Sequence, residues 1–91
     1  MVQIAVCDDN AIHLQYAVSL IERALPPSRA EVSAFSGGGE LLRTLVPDGY
    51  APDIAVLDIR MNDMDGLSLA RELNRLAPLC QIIYLTAYPS Y

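Results

Sequence analysis

The sequence predicts a parallel α/β sheet with helices on both faces, and three observations carry that prediction. Short apolar runs recur, among them Ile4-Ala5-Val6-Cys7 and Ile54-Ala55-Val56-Leu57. Each has the length of a strand buried on both faces. Between the runs lie stretches with apolar residues at helical spacing, bounded by caps and prolines. The connections are short, and strand–helix alternation of this kind builds parallel sheets. Two of the runs also end in carboxylates, Asp8-Asp9 and Asp58.

The elements follow in order. Residues 2–7 form the first strand. Asn10 is a suitable N-cap for a helix of roughly 11–25. Its apolar stripe is Ile12, Tyr16, Leu20 and Ala24, widened by Ala17 and Ile21. Pro26-Pro27 ends it. Residues 31–35 form a second strand, more polar than the others, as suits a sheet edge. Ser36 and Gly37-Gly38-Gly39 turn into a second helix, about 39–46, with Leu41, Leu42, Leu45 and Val46 inward. Pro47-Asp48-Gly49 closes it. The third strand is 53–58 and the loop 59–65 follows. Asp65 caps a third helix, about 66–77, with Leu69, Leu73 and Leu76 inward. Pro78 stops it. Gln81 to Leu85 is the fourth strand, and Thr86 stands at its end.

The chain has 91 residues, the size of one domain, and 53% of them are hydrophobic. That exceeds the usual share of about 45–50% and is ample for a core. No apolar run approaches the roughly 20 residues of a membrane span, and there is no signal-peptide pattern. The expectation is a soluble cytoplasmic protein with no membrane partner. The net charge is −5 and every basic residue is Arg. Nucleic-acid binding by this stretch is therefore disfavoured, since it requires a basic patch. Cys7 and Cys80 lie in or beside apolar runs and read as small buried thiols.

Asp8, Asp9, Asp58 and Thr86 all follow strands at the same sheet edge, where α/β folds bind ligands. If the first and third strands are neighbours, three carboxylates converge. That is costly without a cation, because like charges a few Å apart raise each other's pKa. A hard metal such as Mg²⁺ takes oxygen ligands and keeps several waters. Asp58 is then available as a nucleophile towards a phosphoryl group, with the metal offsetting charge on the transferring oxygens. Thr86 offers a hydroxyl donor to such a group. Any one of these Asp residues alone would read as an ordinary acidic loop residue; four strand-end positions together read as a site.

Three stretches, IAVCDDN at 4–10, DIAVLDIRMNDMDG at 53–66 and IIYLTAY at 82–88, resemble the receiver domain of two-component response regulators. The resemblance runs in register along the whole chain. It implies that Asp58 is the phosphoacceptor and Thr86 the switch hydroxyl. It also implies that Asp9, Asp58 and the backbone carbonyl of Arg60 hold Mg²⁺, with Asp8 acting on the metal through water. The fold implied is flavodoxin-like and doubly wound, with strand order 2-1-3-4. Helix 1 would lie on one face and helices 2 and 3 on the other. The T-A-Y ending and C-D-D opening are similar to receivers that precede a LytTR-type DNA-binding domain.

Departures from the family pattern are informative. Asn62 stands where many members have Pro. Arg60 and Tyr88 flank the site at positions that tune dephosphorylation in the family; the Arg60 guanidinium either pairs with a phosphoryl oxygen or is solvated. The family's fifth strand, with its Lys and aromatic switch residue, and its fifth helix are missing, so residues 1–91 read as a receiver domain incomplete at the carboxy terminus. A bare apolar patch of a few hundred Å² is then expected beside helix 1, with the fourth strand an open edge. Self-association into a homodimer follows as an expectation.

The implied function is a phosphorylation-switched signalling domain, more a substrate than an enzyme. Its partner would be a histidine kinase, and it would reach DNA only through an effector domain outside this chain. The alternative is a pseudo-receiver that docks partners without phosphorylation, favoured by the absence of Lys. A phosphatase with an aspartyl nucleophile fits poorly: such enzymes place a second Asp two residues on, where this chain has Asn10 or Arg60. The glycine run 37–39 cannot be a Walker A loop without Lys and reads as a flexible helix entry. His13 reads as a surface histidine, and Met61 and Met64 as loop packing.

Overall fold

The computed structural model describes residues 1–48 and 50–85, with side chains 46–48 outside the description. The elements are β1 (Val2–Cys7), α1 (Ala11–Ala24), β2 (Ala30–Phe35), α2 (Gly38–Asp48), β3 (Ile54–Asp58), α3 (Gly66–Leu76) and β4 (Gln81–Leu85). These bounds match the sequence expectation to within one or two residues. Both expected caps are made. The Asn10 side chain accepts from the amides of Ile12 and His13, and that of Asp65 from the amide of Ser68.

The described strands form one parallel sheet in the order β2-β1-β3-β4. Cys7 pairs with Leu57, so the residues that follow, Asp8 and Asp58, emerge side by side at one edge. Strand alternation divides the core. Ala5, Cys7, Ala55 and Leu57 face α2 and α3, joining Leu41, Leu45, Leu69 and Leu73. Ile4, Val6 and Val56 face α1, joining Leu14, Ala17, Val18 and Ile21. Helix placement is thus the one that right-handed crossovers require.

Two inward faces differ from expectation. On α1 the expected Ala17 and Ile21 pack on the sheet, joined by Leu14 and Val18, whereas Ile12 and Tyr16 are 77% and 66% exposed and Leu20 and Ala24 are also exposed. This helix is apolar on more than one side, so periodicity offers two faces, and only contact with the sheet selects between them. On α3, Leu69 and Leu73 are buried as expected, but Leu76 is exposed and Ala70 and Ala77 fill the core instead. Leu41 and Leu45 of α2 are buried as expected; Val46 lies outside the described side chains.

Ile83 and Leu85 of β4 align with Val56 and Asp58, on the α1 side, and both are exposed. Leu85 lines one hollow with Tyr16 and Leu20, which places apolar surface beside helix 1, and β4 is an edge strand among the described residues. No helix is long and apolar enough to cross a membrane among the described residues.

Candidate functional site

β1 and β3, paired in register, deliver Asp8, Asp9 and Asp58 to one place. A ligand oxygen from each lies within 4.8 Å of the others. Asp8 is buried, with 5% exposure. Its Oδ1 accepts from the Asn10 amide at 2.9 Å. Asp9 Oδ2 accepts from the Asn62 amide at 2.8 Å, and Asp58 Oδ1 from the Arg60 amide at 3.3 Å. The Arg60 backbone therefore lies against the cluster. Thr86 and Tyr88 fall outside the described residues.

Burial pushes the Asp8 carboxyl above its ordinary range, and the neighbouring Asp58 adds to the shift. His13 Nδ1, 3.9 Å from Asp8 Oδ2, acts the other way when protonated. A buried carboxylate beside two more is unfavourable in water-excluded surroundings unless a cation shares it. The donor set, oxygen only and clustered at a strand edge, suits a hard divalent ion. The residues present therefore fit a metal.

Hollows flank the cluster, two of them beside the Asp58 and Arg60 end. One, about 380 Å³, is lined by Asp9, Asn10, Arg60, Met61 and Asn62. The other, about 340 Å³, opens between Asp8, Asp58, Leu85 and the Tyr16 and Leu20 face of α1. Asp58 is half-buried, so its carboxylate is reachable. Behind the site, Cys7 Sγ lies 3.6 Å from Met61 Sδ, and burial pushes the thiol up to about 12. A thiol that stays neutral is no nucleophile. Cys7 and Cys80 are both free and buried.

The loop between β3 and α3 is tied at several points. The Gly66 amide donates to Ile59 O at 2.8 Å and closes its neck. Asp63 was not singled out by sequence, yet its carboxylate accepts from the Gly38 and Gly39 amides at 3.3 and 2.9 Å. The glycine run is thus no mere flexible entry. A Cβ at Gly37 would stand 2.9 Å from Asp63 Oδ2, so glycine there makes room for the carboxylate. The only sequence signal was the run itself, since glycine often marks close approach.

The titrations oppose one another. Asp8 is raised, so its charge costs stability above its folded pKa and that cost lifts as pH falls through it. Asp63 and Asp65 are lowered, chiefly by the Gly39 and Ser68 amides. Their contributions are present above the ordinary carboxylate range and are lost as pH falls through the lowered values. A cation at this cluster would favour the ionised form of Asp8. Mg²⁺ at a hundredfold excess over its Kd is expected to stabilise by about 2.7 kcal/mol near neutrality. The gain in melting temperature should shrink as pH falls into the raised titration range of Asp8. Melting curves with and without Mg²⁺ across that range check this; a constant gain would exclude Asp8 from the metal's surroundings.

A family model described as the response regulator receiver domain matches residues 4–91. The chain is 34% identical over 81 residues to the DNA-binding transcriptional regulator NtrC of Escherichia coli, covering 89% of this chain and 16% of that protein. The chain therefore spans about a sixth of the length of this relative. A CheY-like receiver domain protein from Methanospirillum hungatei superposes with a TM-score of 0.82 at 26% identity, over 99% of this chain and 67% of that one. The BeF3-activated receiver domain of DrrB, from Thermotoga maritima, gives 0.80 at 26% identity, over 99% and 69%. With a matching fold, strand order and acidic sheet edge, the chain belongs to the response regulator receiver domain family.

Proposed function

We propose that Asp58 is the phosphoryl acceptor of this receiver domain, with a histidine kinase as donor. Asp8, Asp9, Asp58 and the backbone carbonyl of Arg60 would hold Mg²⁺. The observation that carries the reading is the convergence of the three carboxylates within 4.8 Å, with Asp58 half-buried and lining the hollow beside α1. When bound, the ion offsets charge on the transferring oxygens.

The chain's own residues supply positioning. The Arg60 amide holds Asp58 Oδ1, so the two carboxylate oxygens are inequivalent and one is available to attack phosphorus. The new O–P bond forms as the P–N bond to the donor imidazole breaks. The electron pair leaves with the nitrogen, which takes a proton from solvent. The product is an acyl phosphate on Asp58. The domain acts here as a substrate more than an enzyme.

Thr86 is the hydroxyl that would meet the phosphoryl group and bias a surface. By analogy with NtrC, described as a DNA-binding regulator, the output would be an effector domain that acts on DNA. A cytoplasmic location belongs to the same reading. The exposed Tyr16, Leu20, Ile83 and Leu85 support self-association through that face.

Incubation with Mg²⁺ and acetyl phosphate tests the reading. The expected result is a mass gain of one phosphoryl group, mapped to Asp58 and abolished by chelation. Light scattering on the same sample is expected to show a species larger than a monomer. No mass gain in the full-length protein would overturn the phosphoacceptor role and favour a phosphorylation-independent docking module.

A further inference from the structure

We propose that Asp63 is a positioning residue for phosphoryl transfer: its carboxylate, seated on the Gly38 and Gly39 amides, ties the 59–64 loop to the first turn of α2 and so sets the Arg60 backbone at the acidic cluster. This rests on the metal reading of Asp8, Asp9 and Asp58 given above.

The loop's neck is closed by Gly66 and Ile59, and its crest is strung between two carboxylates. On one side the Asn62 amide donates to Asp9. On the other, Asp63 accepts from α2. Met61 and Met64 pack on the core and Met61 meets Cys7, but without the Asp63 contact no side-chain bond would tie the crest to α2, and the Asn62 amide would rest on Asp9, a residue that must also serve the metal. Groups outside a metal's immediate ligands fix the orientation of those ligands and hence the affinity.

The glycines are fitted to this contact. A Cβ at Gly37 would meet Asp63 Oδ2 at 2.9 Å and one at Gly39 would meet it at 3.3 Å. None of residues 37–39 has left-handed backbone, so their role is space rather than conformational freedom. The helix-end amides also favour the ionised carboxylate, consistent with the lowered pKa of Asp63.

Asp63→Ala removes the contact together with a charge. Gly37→Ala displaces the carboxylate but keeps the charge, and its clash is with a side-chain end rather than with backbone. Asp63→Asn keeps one acceptor oxygen. Mg²⁺ titrations followed by backbone amide chemical shifts compare the three with the unaltered chain. Asp63→Ala and Gly37→Ala are each expected to weaken Mg²⁺ about tenfold and to lose the shifted Gly39 amide signal, while Asp63→Asn retains part of both. Weakening by Asp63→Ala alone, with Gly37→Ala binding like the unaltered protein, would reduce the effect to charge and overturn the proposal. So would unchanged affinity in all three. An unaltered chain with no Mg²⁺-dependent shifts would instead overturn the metal reading beneath it.

Discussion

Gly66→Ala is expected to lower stability by about 3 kcal/mol, the upper end of the range for overpacking. The added Cβ would stand 2.5 Å from the Asp58 carbonyl oxygen, 2.9 Å from Ile59 Cα and 3.1 Å from the Asp58 carbonyl carbon. All three are backbone atoms, so no side chain can swing aside. The backbone at Gly66 is not left-handed, and the cost is one of space alone. Relief requires α3 to move off the end of β3, which breaks the Gly66–Ile59 hydrogen bond and shifts Asp58. A domain of this kind has a total stability of only about 5–15 kcal/mol, so the loss is large. Urea unfolding measures it, and Mg²⁺ affinity should fall in parallel. An unchanged unfolding midpoint would show that this junction has slack.

Asp58→Asn should have two effects of opposite sign. Phosphoryl incorporation from acetyl phosphate falls to nothing, because the amide oxygen does not form the acyl phosphate. Stability of the metal-free protein rises by about 1 kcal/mol, because one of three mutually repelling carboxylates becomes neutral. The amide oxygen can still accept from the Arg60 amide, which is the bond Asp58 Oδ1 makes now. Intact mass and thermal melting without metal read the two effects on one sample. A purely structural carboxylate would behave differently: its neutralisation would cost stability. Retained phosphorylation would move the acceptor elsewhere.

Much of the fold was legible because strand and helix signals are local. Apolar runs such as Ile54 to Leu57, the Asn10 and Asp65 caps and the prolines each act on their own neighbourhood. The acidic cluster was legible too, because Asp8 and Asp58 directly follow strands, and parallel strands deliver such residues to a common edge. The α1 face was legible only in part: Ala17 and Ile21 pack inward as expected, but Ile12, Tyr16 and Leu20 are spaced as helically as Leu14 and Val18.

Residue types and their order therefore settled the element sequence, the caps and which carboxylates share a rim. The folded chain alone revealed which side of α1 meets the sheet, and how the metal-site loop is strung. The physical reason is one of range. The Asn62–Asp9 and Asp63–Gly39 bonds join residues 53 and 24 apart in sequence, and each ends on a backbone amide. Every residue except proline carries that amide, so no residue type announces it, and only the meeting of β1, α2 and the β3–α3 loop in space makes the contact.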